Sequence, residues 1–207
     1  MRKKPMLAYP VSDKPIEYNK VSMQPKLDGV RCTIQYDAGV VTAWSRTGKE
    51  WKNIEHIKLN LYRFFDKFPN IILDGELYNH DLRDDFEKII SLVRKQKPTD
   101  EDRQEARNLV QFHCYDIIDE TLTFEERNYF VQKHIKPSYC IKHVTTMAVG
   151  DNRLAKMIHQ QNLKNGYEGS ILRTNDTYQC KRSHNLRKFK DFSDAEAIII
   201  GYQPGKG

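Results

Sequence analysis

The segment that most restricts the fold is Val30 to Ser45. Val30, Cys32, Ile34 and Tyr36 alternate with Arg31, Thr33 and Gln35, the two-residue period of a strand with one buried face. Asp37-Ala38-Gly39 supplies turn residues, and Val40 to Ser45 resumes a strand-like run, which together read as a hairpin and so as antiparallel sheet. Further strand-like runs lie at Val21 to Gln24, Ile71 to Tyr78, Leu109 to Ile118, Ile141 to Met147, Ser170 to Arg173, Leu186 to Lys190 and Ala195 to Gly201. Helical spacing recurs in Ile54, Ile57, Leu61, Phe64 and Phe65, and again in Phe86, Ile89, Ile90 and Val93. Thr123 with Glu126 predicts a capping box for a helix reaching about Ile135. Asp151 can cap another running to about Leu163. Strands and helices mix without a regular βαβ beat, so the expected class is α+β, with largely antiparallel sheets flanked by helices. The first 18 residues, rich in Pro and Lys, read as an irregular lead-in. The charged stretch Lys95 to Arg107, which contains Pro98, reads as an exposed connection.

Composition narrows the function classes. No run of about 18 apolar residues exists, so no membrane span is expected. Met1-Arg2-Lys3-Lys4-Pro5 is basic but has no apolar stretch behind it, unlike a secretory signal. The formal charge of +6 suits a polyanionic partner. Cys32, Cys114, Cys140 and Cys180 form no CxxC pair and read as reduced thiols. The histidines are scattered singly, which argues against a zinc site.

Four clusters carry chemistry. Lys26-Leu27-Asp28-Gly29-Val30-Arg31 sets an amine, a carboxylate and a guanidinium within six residues. A desolvated lysine loses its proton more readily and becomes a nucleophile. In Leu73-Asp74-Gly75-Glu76-Leu77, strand alternation puts Asp74 and Glu76 on one face, able to accept ribose hydroxyls or help hold a metal. In Tyr167-Glu168-Gly169-Ser170-Ile171-Leu172-Arg173, Glu168 starts a strand and offers oxygen ligands of the kind Mg²⁺ takes. In Arg187-Lys188-Phe189-Lys190-Asp191-Phe192, Lys188 and Lys190 share a strand face and can clamp a phosphate, with Phe189 packed behind.

In this order, with Tyr115-Asp116 between the second and third clusters, these segments resemble the covalent nucleotidyltransferase superfamily of DNA ligases, RNA ligases and mRNA capping enzymes. The resemblance runs from about Lys20 to the C-terminus. Within that group, Ser45-Arg46-Thr47-Gly48-Lys49, Phe124-Glu125-Glu126-Arg127 and the run Lys188 to Glu196 look like ATP-dependent DNA ligases of the compact viral and bacteriophage type.

The resemblance implies a nucleotidyltransferase (ATP-grasp-like) adenylation domain spanning residues 1–207. An OB-fold domain that normally follows in cis would start where this chain ends. It implies that Lys26 attacks ATP and carries AMP, that Mg²⁺ assists, and that nicked duplex DNA is the partner. Asp28, Lys188 and Lys190 are then catalytic alongside Lys26. Gln24, Arg31, Arg46, Glu76, Tyr115, Glu168, Lys188 and Lys190 bind the nucleotide: Tyr115 stacks on adenine, Glu76 contacts the ribose, and Gln24 stands where many ligases place a glutamate that reads the adenine amino group. Glu168 and Asp74 are the expected metal ligands, and Arg31, Arg46 and Lys49 the expected DNA contacts. A monomer in the cytoplasm of a bacterium or a virus-infected cell is the accompanying expectation. An RNA ligase would share most of these residues but require 2′-hydroxyls at the break. A catalytically silent nucleic-acid-binding module is the reading from a different class.

Overall fold

The computed structural model describes residues 2–190. Among these described residues, ten strands form two five-stranded sheets. The first takes β1 (Leu7–Pro10), β10 (Arg182–Phe189), β9 (Gly169–Thr174), β2 (Val21–Lys26) and β8 (Met147–Val149), in that spatial order. The second takes β4 (Val40–Trp44), β3 (Val30–Asp37), β5 (Ile72–Tyr78), β6 (Gln111–Ile117) and β7 (Ile141–His143). Among the described residues, only the β1–β10 and β6–β7 pairings are parallel. The β3–β4 hairpin forms as its alternation predicts.

Among the described residues, five α-helices cover the sheets: α1 (Glu55–Lys67), α2 (Phe86–Val93), α3 (Asp100–Leu109), α4 (Phe124–His134) and α5 (Asn152–Lys164). The largest core lies against the second sheet. There Ile57, Leu61, Phe64 and Phe65 of α1 meet Ile34, Leu73 and Phe112 from the strands. A smaller core joins Ala155 and Ile158 of α5 to Val21, Met23 and Leu172. Burying side chains of this size removes roughly 1.5–3 kcal/mol of apolar surface cost each. No described helix is long and apolar enough to cross a membrane.

Three expectations need correction. The lead-in is not irregular throughout: Leu7–Pro10 pairs with β10 and edges the first sheet. Its short alternation is too brief to register as a strand without its partner. Lys95 to Arg107 is not simply a connection. Thr99 caps α3 with a reciprocal Thr99–Asp102 box, and Ala106 is fully buried. The charges that suggested a loop occupy the solvent face of that helix. Ile141 to Met147 is not one strand: β7 and β8 belong to different sheets, with residues 144–146 crossing between them. The predicted strand at Ala195 to Gly201 lies outside the described residues, as does the Asp191 to Glu196 part of the late motif.

Candidate active site

The chain passes from the first sheet to the second between Lys26, the last residue of β2, and Val30, the first of β3. This places Lys26 at the mouth between the sheets. Gly29 makes the crossing tight: a Cβ there would lie 2.5 Å from the Leu77 carbonyl oxygen and 2.6 Å from Glu76 Cγ. The cleft that opens beside it has a volume of about 310 Å³. Gln24, Lys26, Ile171, Arg173 and Lys188 line it from the first sheet, and Arg31, Glu76 and Tyr115 from the second. Arg46 reaches it from the turn after β4. Most of the residues expected to bind nucleotide therefore converge, although 164 positions separate Gln24 from Lys188 and no single stretch of chain supplies them.

Strand register explains how the opposing walls meet. Lys26 pairs with Gly169, so Glu168 emerges beside Lys26. Its carboxylate forms ion pairs with both Lys26 and Lys190, one through each oxygen. Gly169 is held at φ +149°, and a Cβ would sit 2.3 Å from the Phe189 carbonyl oxygen, so glycine lets β9 and the end of β10 close up here. Phe189 turns away from the cleft and stacks on the buried His159 ring at 3.8 Å. Burial lowers the Lys26 amine below its ordinary value of 10.5, against the opposing pull of Glu76 and Asp28. Lys190 is lowered by burial and then by the neighbouring Lys26 charge.

On the second sheet, the β5–β6 register shifts between Asp74 and Gly75, and Tyr115 is the extra residue on β6. Its hydroxyl donates to Glu76 at 3.2 Å. Burial raises the Glu76 carboxyl to about 7, against Arg31, Lys26 and Tyr115.

Asp74 does not fit the expected metal-ligand role. It is fully buried, accepts both Arg31 Nε at 2.6 Å and Arg31 Nη2 at 2.5 Å, and takes the Tyr178 hydroxyl at 2.7 Å. It is an anchor for Arg31. Glu168 does fit a Mg²⁺ ion that takes most of its ligands from phosphate and water. No cluster of three or more metal-binding side chains occurs among the described residues. Arg46 and Lys49 are exposed on a turn closed by Ser45 N–H to the Lys49 carbonyl at 2.8 Å, and Asp28 is exposed beside the cleft.

Sequence reasoning missed two features. Arg182 of β10 also lines the cleft. Beneath it lies a buried ion cluster, in which Asp116 accepts Arg127 Nε at 2.7 Å and Arg173 Nη1 at 2.8 Å. Arg173 and Arg127 were legible only as members of motifs, because nothing local marks their shared counter-ion.

A half-buried lysine between two largely antiparallel sheets, facing a carboxylate and a second lysine, is the arrangement that the resemblance to nucleotidyltransferase domains implies. The ATP dependent DNA ligase domain family matches residues 5–190, and the chain belongs to it. The DNA ligase of African swine fever virus (isolate Pig/Kenya/KEN-50/1950) is 31% identical over 198 residues, covering 89% of this chain and 45% of the viral protein. The chain thus spans a little under half the length of that relative. Among solved structures, a Lig E DNA ligase superposes with a TM-score of 0.76 at 23% identity, over 100% of this chain and 76% of that one. A Chlorella virus DNA ligase-adenylate gives 0.67 at 21% identity, over 93% and 70%. These two likenesses concern the fold.

Proposed function

We propose that this chain is the adenylyl-transferring unit of an ATP-dependent DNA ligase, with Lys26 as the nucleophile. The observation that carries the reading is the convergence of Lys26, Glu168 and Lys190 at the mouth of a cleft whose far wall holds Glu76 and Tyr115.

In the first step the neutral Lys26 amine attacks the α-phosphate of ATP. A P–N bond forms, the P–O bond to pyrophosphate breaks, and the lysine proton passes to solvent or a neighbouring base. In the second, an oxygen of a nick 5′-phosphate displaces lysine from AMP. In the third, the 3′-hydroxyl attacks that phosphate, expels AMP and closes the strand. All three are displacements at phosphorus, where alignment and charge neutralisation do most of the work. Tyr115 and Gln24 hold the base, Glu76 the ribose, and Lys188 and Lys190 the phosphates. Arg31, Arg46 and Lys49 face the nick, with Asp28 beside them. Glu168 would hold Mg²⁺, which supplies positive charge at the phosphates when bound. The family match and the viral relative support DNA as the substrate.

The test is intact mass after incubation with ATP and Mg²⁺, followed by peptide mapping, together with sealing of a nick that already carries 5′-AMP. AMP on Lys26, absent from Lys26→Ala, is the expected result. Folded protein that neither gains AMP nor seals the adenylylated nick refutes the reading. Equal sealing of DNA nicks is expected without a 3′-terminal ribose; a strict need for that ribose would move the assignment to an RNA ligase.

A further inference from the structure

Gln24 presents a problem that a carboxylate would not. A glutamine amide has a donor end and an acceptor end, and a half-turn exchanges them. Here its surroundings leave one choice. Arg173 Nε, which can only donate, lies 2.6 Å from Gln24 Oε1. The Tyr115 carbonyl oxygen, which can only accept, lies 3.3 Å from Gln24 Nε2. Thr146 Oγ1 lies 2.9 Å from the same nitrogen and directs its own proton at the Val144 carbonyl and Asn128. Arg173 is itself fixed by Asp116 at 2.8 Å. Gln24 is only 2% exposed yet lines the cleft; both of its N–H bonds are used within the protein, whereas the oxygen takes one bond from Arg173 and has a second lone pair to offer.

We infer that Arg173 is a specificity-determining residue that, with Thr146, orients the Gln24 amide to offer the base an acceptor alone, selecting a 6-amino purine over a 6-oxo purine. This deepens the proposed function and rests on its placement of the base at Gln24. With Arg173 gone, the amide can turn and offer N–H to the oxygen of guanine. A site with a committed hydrogen-bonding group rejects the mismatched partner because that group is left unpaired.

The experiment measures ATP and GTP affinity of the full chain by calorimetry, with thermal melts to verify folding. The wild type is expected to prefer ATP. Arg173→Met is expected to reduce the ATP:GTP ratio by about tenfold or more, mainly through tighter GTP binding. Thr146→Val, which leaves the Asp116 cluster intact, is expected to reduce it less and covers the case in which Arg173→Met fails to fold. Gln24→Glu is expected to keep the preference, and adding Thr146→Val to it changes nothing, because a carboxylate has no donor end. An unchanged ratio in both folded single variants overturns the inference. So does weaker GTP binding in Arg173→Met, since Arg173 would then be the donor to the base. An unchanged ratio in Gln24→Ala shows instead that the base does not sit at Gln24, and a wild type that binds neither nucleotide refutes the proposed function itself.

Discussion

The Tyr115 hydroxyl donates to the Glu76 carboxylate across 3.2 Å, joining the bulge of β6 to β5 inside the cleft. Glu76 is nonetheless raised from an ordinary 4.5 to about 7, chiefly by burial. Folding therefore favours its protonated form: the associated stability is full below pH 4.5 and is lost as pH rises through 7. Glu76→Gln is expected to melt a few °C above wild type at pH 8, equivalent to about 2 kcal/mol, with the gain fading toward pH 4.5. A gain that does not depend on pH contradicts this. Nucleotide affinity is expected to fall in the same variant.

Asp74 and Glu168 should separate cleanly. Glu168→Gln is expected to raise the Mg²⁺ concentration needed for AMP transfer while melting close to wild type. Asp74→Asn leaves Arg31 without its counter-ion and is expected to cost about 3 kcal/mol of stability. Mg²⁺ titrations of both variants, beside urea unfolding, check this. A raised Mg²⁺ requirement in Asp74→Asn alone would reinstate it as a ligand.

The burial that lowers Lys26 also sets a pH profile. The rate of AMP-lysine formation is expected to climb about tenfold per pH unit in the acidic range, as the neutral amine accumulates, then level off. The inflection should lie below 10.5. Single-turnover labelling across pH measures it, and an inflection at or above the ordinary lysine value counts against the amine's being desolvated.

Arg127→Met removes one of the two cations around the fully buried Asp116. Because Arg173 remains, the expected loss is about 2–4 kcal/mol, at or below the usual cost of breaking a buried pair. Urea unfolding reads it directly, and a loss under about 1 kcal/mol would mean the charge is compensated elsewhere.

Thr99 and Thr123 each complete a capping box. Thr99→Ala and Thr123→Ala are each expected to cost about 1 kcal/mol, and to add in the double variant, since they serve different helices. Denaturant unfolding of the three proteins tests both statements.

The helices α1, α4 and α5 and the β3–β4 hairpin were legible because their signals are local: apolar spacing, a cap, a turn. The Lys26, Glu76, Glu168 and Lys188 positions were legible through motif order. Thr99 and Asp102 also carried a cap signal, but Pro98 and the density of charge pointed to a loop. The fate of Ile141 to Met147 was not legible, because its apolar character says nothing about which sheet each end joins.

Composition and order along the chain were enough to indicate the α+β class, the family, and Lys26 as the candidate nucleophile. Tertiary structure alone decided that Asp74 serves Arg31, that a bulge admits Tyr115 to the cleft, and that Arg173 faces both Asp116 and Gln24. Those outcomes depend on strand register and on which buried charges meet. Both arise from packing between segments far apart in the chain, where local periodicity carries no information.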